Sequence, residues 1–72
     1  MAPRVLVTGS SGQIGSELVP YLRSLYGNDN VVGGDLRTSR DPLLRAGPFE
    51  ILDVSDASAL TRVVKEHRVD II

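Results

Sequence analysis

There is no cysteine in this chain of 72 residues. Disulfides, thiolate metal sites and a cysteine nucleophile are therefore excluded, both as chemistry and as support for a small core. No metal site is expected. An excess of one charge is missing too: eight Lys plus Arg stand against nine Asp plus Glu, a formal net charge of -1, with no block of like charge. Nothing draws such a chain toward nucleic acid or an anionic membrane. No apolar run approaches the roughly 20 residues that span a bilayer. Met1-Ala-Pro-Arg-Val-Leu-Val enters a strand-like run directly, without the charged region, apolar region and cleavage site of a secretory signal. A cytoplasmic chain held together by packing is expected. Its 42% apolar and 24% charged residues suit an ordinary globular protein. A chain this short, however, buries only about 60% of the surface it exposes when unfolded, which rules out a large enzyme of two lobes.

What is present reads as alternating strands and helices. Val5-Leu-Val-Thr8, bounded by Pro3 and Gly9, is a β-branched run without alternation, the pattern of a strand buried on both faces of a parallel sheet. After Gly9-Ser-Ser-Gly12, apolar residues at Ile14, Leu18, Leu22 and Leu25, with Val19 and Tyr26 alongside, form the stripe of a helix that Gly27 and Asn28 end. Pro20 inside it removes one backbone hydrogen bond and predicts a kink. Val31-Val-Gly-Gly-Asp35 is a second strand, and 36–48 a loop with at most one helical turn near Leu43-Leu44. Phe49 to Asp53 is a third strand. Ser55 or Asp56 caps a second long helix with apolar positions Leu60, Val63, Val64 and His67, and Val69-Asp-Ile-Ile72 opens a fourth strand. The fold class expected is α/β, the N-terminal part of a doubly wound parallel sheet in the order β-α-β-loop-β-α-β, with strands near 4–8, 31–35, 49–53 and 69–72. Residues 1–72 are expected to be the first half of such a domain and a fragment of a longer chain.

The chemistry lies in Thr8-Gly9-Ser10-Ser11-Gly12-Gln13-Ile14-Gly15, between a strand and a helix. Gly9 permits the turn, Gly12 lets a pyrophosphate approach the backbone, and Gly15 lets the helix pack closely. The free N–H groups near Gln13 and Ile14 face the phosphates with the positive end of the helix dipole. Asp35 ends the second strand 26 positions after Gly9, where an acid can take the ribose hydroxyls of a dinucleotide. A 2′-phosphate would meet that carboxylate, so NAD is favoured, while Arg37 and Arg40 keep NADP open. A nucleoside-triphosphate loop needs a lysine after its last glycine, and no lysine precedes Lys65.

The spacing of Gly9, Gly12 and Gly15 resembles the extended branch of the short-chain dehydrogenase/reductase superfamily, the NAD-dependent epimerases and dehydratases. Within it, the run from Val5 to Gly27, marked by Gln13 and Pro20, then Asn28 to Arg37 and Phe49 to Val54, is similar to the short-chain type of L-threonine 3-dehydrogenase. The resemblance implies a Rossmann domain, NAD as cofactor, and oxidation of the secondary alcohol of L-threonine to 2-amino-3-oxobutanoate. It implies that Asp53 and Val54 contact the adenine. The cofactor-binding candidates are Gly9, Ser11, Gly12, Gln13, Ile14, Gly15, Asp35, Leu36, Arg37, Asp53 and Val54.

Catalysis in that superfamily uses a Tyr-x-x-x-Lys pair with a Ser or Thr. Here Leu25 stands four places after Tyr21 and Asn30 four places after Tyr26, so neither tyrosine is that base and no catalytic residue is assigned. Both tyrosines are better explained as helix packing. Ser10, Ser11 and Ser16 suit phosphate hydrogen bonds, and His67 a packing or capping role. Two other functions share these features: a nucleotide-sugar epimerase or dehydratase, whose loop usually has Phe where Gln13 stands, and a non-catalytic dinucleotide-sensing regulator. The partners expected are the dinucleotide and, through segments beyond Ile72, a small-molecule substrate and a second subunit of a homodimer.

Overall fold

The computed structural model describes residues 2–37 and 40–72; Thr38 and Ser39, within the loop expected over 36–48, lie outside the described residues. The elements are β1 (Val5–Thr8), α1 (Gln13–Tyr26), β2 (Val31–Asp35), α2 (Pro42–Arg45), β3 (Phe49–Ile51) and α3 (Ala57–Glu66). The strands make one parallel sheet in the order β1-β2-β3, with Val5 opposite Val31 and Gly33 opposite Phe49. This is the N-terminal part of an α/β Rossmann-like fold.

Successive strand residues point to opposite faces of a sheet, and here both faces are covered. Val5, Val7 and Val31 pack with Val19 of α1 and Leu44 of α2. Leu6 and Val32 pack on the other side with Leu52 and Val63 of α3. A right-handed crossover requires this division: two steps in one direction put α1 and α2 on one face, and the return step puts α3 on the other.

The fourth strand expected over 69–72 is reduced to one parallel bridge between Val5 and Ile71. The Leu6 N–H donates to the Ile71 carbonyl at 2.8 Å and the Ile71 N–H to the Arg4 carbonyl at 3.2 Å, so Ile71 lies on the edge of β1 away from β2. Arg68 turns the chain just before it, with φ of 53°, and the Asp70 carboxylate takes the Arg4 N–H at 3.0 Å. A side chain thus occupies a donor that a longer ladder would use. β3 also ends before Asp53. Leu52 still donates its N–H to the Asp35 carbonyl at 2.7 Å and is buried, after which the chain turns toward α3.

Helix α1 corrects the expected stripe. Its inner face is Gly15, Val19 and Arg23, with Leu22 and Tyr26 packed against the core. Ile14 is 80% exposed, Tyr21 60%, Leu25 56% and Leu18 38%, so these four form a second, outward row and Tyr21 is not a packing residue. Pro20 lies inside α1 without ending it, and Gly27, with φ of 99°, closes the helix by donating its N–H to the Arg23 carbonyl at 2.9 Å. Of the two caps considered for α3, Asp56 performs the task, accepting the Ala59 N–H at 3.1 Å.

Arg23 is the residue that sequence reasoning missed. It is only 4% exposed, and its guanidinium donates to the carbonyls of Val31 at 3.1 Å, Leu43 at 3.0 Å, Leu44 at 2.7 Å and Pro48 at 2.8 Å. Burial pushes its pKa below the usual arginine value. A planar fork of five donors suits this site as no ammonium would. The bonds fasten α2 and the entry to β3 onto α1 and β2. Replacing Arg23 with Met should leave these carbonyls without a donor and cost about 2–4 kcal/mol of stability. Urea denaturation checks this; an unchanged midpoint and slope would show that the carbonyls find other donors.

Candidate functional site

β1 carries the chain out of the sheet to Gly9, whose φ of 66° is in the left-handed region that side chains avoid. The Gly12 N–H then donates to the Gly9 carbonyl at 3.0 Å and closes the turn. α1 begins directly afterwards, seated on the loop: a Cβ at Gly15 would lie 2.5 Å from the Gly9 carbonyl oxygen and 2.7 Å from the Ser10 Cα. The close approach expected of Gly15 is thus to the loop backbone.

No side chain caps the start of α1 at Gly12. The first N–H groups of a helix have no intrahelical acceptor, so those of Gln13 and Ile14 remain for an anion at the positive end of the dipole. Both residues are exposed, as are Ser11 and Gly12. A Cβ on Gly12 would sit 3.2 Å from the Gly9 oxygen, tighter than an ordinary contact, so a side chain there presses on the loop.

Asp35 ends β2 beside this loop, because Thr8 pairs with Gly34 and the Ser10 N–H donates to the Gly34 carbonyl at 3.1 Å. Its carboxylate accepts the Ser11 N–H at 2.9 Å and the Leu36 N–H at 2.6 Å. Leu36 and Arg37 follow, both exposed. The bond from Leu52 to Asp35 brings the end of β3 alongside, so Asp53 and Val54 stand at the same end of the sheet, also exposed. Asp53 accepts the Ser55 hydroxyl at 2.6 Å and the Ser55 N–H at 2.9 Å, which together hold its carboxyl below the usual aspartate pKa. All the candidate residues therefore gather at the carboxyl ends of the strands, where open α/β sheets bind ligands. Glycine turn, free helix start and paired acid fit a dinucleotide.

Two readings of hydroxyls need correction. Ser10 is fully buried, turned under Gly33, whose Cβ would lie 3.0 Å from the serine oxygen, so it cannot meet a phosphate. Its hydroxyl has no hydrogen-bond partner among the described residues. Ser16 donates to the Gln13 carbonyl at 3.1 Å. Of the three serines, Ser11 keeps an exposed side chain in the loop itself.

His67 follows α3, and its ring nitrogen Nε2 meets Glu50 Oε2 at 2.6 Å. Glu50, Glu66 and His67 bring ligand atoms within 4.8 Å of one another. Arg62 lies against the same carboxylates, at 3.0 Å from Glu66 and 3.7 Å from Glu50, so both already face a cation of the chain.

With this geometry established, the comparison with known families is decisive: the model of the NAD dependent epimerase/dehydratase family matches residues 5–72. The chain belongs to that family. Among solved structures, the L-threonine dehydrogenase of Clostridium difficile superposes with a TM-score of 0.92 at 42% identity, covering 99% of this chain and 23% of that one. The L-threonine dehydrogenase of Phytophthora infestans gives 0.83 at 46% identity, over 96% of this chain and 21% of its own. An uncharacterized epimerase/dehydratase of Staphylococcus saprophyticus is 46% identical over 68 residues, 93% of this chain and 21% of the relative. The chain thus spans 21% of that curated relative's length. Among its described residues, no helix is long and apolar enough to cross a membrane.

The unpartnered Ser10 hydroxyl has a measurable consequence. Replacing it with Ala should leave stability unchanged or raise it by up to about 1 kcal/mol, since a buried polar group without a partner is removed. Thermal denaturation checks this; a clear drop in melting temperature would mean that the hydroxyl has a partner.

Proposed function

We propose that residues 1–72 are the NAD-binding front of a longer dehydrogenase that oxidises the secondary alcohol of L-threonine to 2-amino-3-oxobutanoate. The observation that carries this reading is the superposition on L-threonine dehydrogenases at 42% and 46% identity. The glycine loop and Asp35 supply the site's chemistry.

NAD, when bound, supplies the hydride acceptor. The chain's own residues bind and orient it. The N–H groups of Gln13 and Ile14 and the Ser11 hydroxyl take the pyrophosphate over Gly12, and Gly9 and Gly15 fix the loop that presents them. Asp35 takes ribose hydroxyls, and its charge disfavours the 2′-phosphate of NADP even with Arg37 nearby. Leu36 and Val54 would offer apolar surface to the adenine, and Asp53 would contact it as a hydrogen-bond acceptor. Removal of the hydroxyl proton and recognition of L-threonine belong to segments outside residues 1–72, as does any subunit contact.

A second reading is a nucleotide-sugar epimerase or dehydratase, and the likeness to an uncharacterized epimerase/dehydratase of Staphylococcus saprophyticus favours an enzyme of that general kind. Gln13 favours the first. In the longer chain, NADH formed on addition of L-threonine supports the dehydrogenase, and interconversion of a nucleotide sugar without net NADH supports the second reading.

The loop assignment has its own test. Gly12→Val should weaken NAD binding at least about tenfold, since the side chain occupies the pyrophosphate's path. Calorimetry measures this and circular dichroism confirms that the apo fold is retained. Unchanged NAD affinity in a folded Gly12→Val protein would remove the loop from the site.

A further inference from the structure

We propose that Asp35 is also the positioning residue of the glycine loop: its carboxylate, by holding the Ser11 N–H, sets the loop in its diphosphate-ready form before a ligand arrives. This rests on the cofactor reading above and adds to Asp35 a task separate from any contact with ribose.

The bond from Ser11 to Asp35 is 2.9 Å long and joins residues 24 apart in the chain, so it is a tertiary tie from the crest of the loop to the end of β2. The neighbouring ties are backbone ones, from Ser10 to Gly34 at 3.1 Å and from Gly12 to Gly9 at 3.0 Å. Between them the Ser11 peptide is exposed and flanked by glycines on either side of the Ser10-Ser11 pair. Glycine loses more conformational freedom on ordering than any other residue. A charge-assisted bond, roughly twice as strong as a neutral one, acts at the point of the loop that most needs holding.

The two tasks are compatible in one carboxylate. It offers about four lone-pair sites. The N–H groups of Ser11 and Leu36 take one on each oxygen, Oδ2 and Oδ1 respectively, and leave sites on both oxygens for hydroxyl donors. The positioning role also carries an electrostatic opposite. A carboxylate beside a diphosphate repels it, so loss of charge alone should tighten diphosphate binding. Charge and positioning must therefore be separated by variants of equal charge.

Asp35→Ala and Asp35→Asn form that pair in the longer chain that carries this segment. Both lose the charge, but Asn keeps one acceptor oxygen, which holds the Ser11 N–H when the amide gives up the Leu36 N–H. The probe is inorganic pyrophosphate, which has no ribose, titrated by calorimetry, with hydrogen exchange at the Ser11 amide followed by NMR. The Asn variant should bind pyrophosphate about fivefold more tightly than the Ala variant, the worth of one ordinary hydrogen bond. The Ser11 amide should be protected in the unmodified protein and in Asn, and exchange freely in Ala. Equal pyrophosphate affinity in the two variants overturns the proposal, as does a Ser11 amide equally protected in all three proteins. Failure of the unmodified protein to bind pyrophosphate overturns it too. An unmodified protein that binds pyrophosphate but not NAD overturns the cofactor reading instead and leaves the positioning role standing.

Discussion

A parallel sheet offers water two apolar faces, and both must be covered before it is stable. The chain meets this with three crossovers whose hand is not free to vary, so the direction of each step between strands decides which face its helix covers. Val19 and Leu44 arrive on one side and Val63 on the other. Everything that makes a site follows from that arrangement. With both faces filled, the loops leaving the carboxyl ends of β1, β2 and β3 are brought to one end of the sheet, and polar groups that the core could not accept are collected there.

The first of those loops derives its shape from packing. Because α1 rests on the Gly9 carbonyl and the Ser10 backbone, the start of the helix is held against the loop at a distance only glycine allows. The helix start is then aimed past Gly12 by the same contact that seats the helix. A binding surface of backbone N–H groups needs no side chain to be placed correctly, and that makes it an economical solution for a short segment. Asp35 enters as the one charged side chain of the loop's framework, at the point where β2 stops contributing to the sheet.

Much of this could be read from residue order. The glycine spacing, the acid at the end of the second strand, the stop at Gly27 and a cap at Ser55 or Asp56 each depend on local chemistry with few alternatives. Other features depended on contacts between distant segments. In α1 two apolar rows compete, and periodicity alone does not choose between them. The choice follows from Gly15: a glycine that must touch the loop fixes the row through Val19, Leu22 and Tyr26 as the inner one, and turns Ile14, Leu18, Tyr21 and Leu25 outward. Ser10 and Ser11 are neighbours of the same type, yet one is sealed under Gly33 and the other is exposed, a difference made by the β2 backbone above them. Nothing in the residue order marks Arg23, because the carbonyls that surround it come from other segments.

That arginine also determines how the segment before β3 can change. Its partners at Leu43, Leu44 and Pro48 are main-chain oxygens, and the Val31 oxygen likewise. The clamp therefore recognises the path of the backbone, and its guanidinium lies so close to Gly47 that a side chain there would displace it. Substitution of the exposed Leu43 or Arg45 leaves the oxygens in reach. Inserting or deleting one residue there shifts the chain by up to about 3.5 Å, more than the length of a hydrogen bond, and moves an acceptor out of register. The stretch is thus strict in length, and in composition it is strict at the buried Leu44 and at Gly47, where a Cβ would lie 2.8 Å from the Arg23 guanidinium.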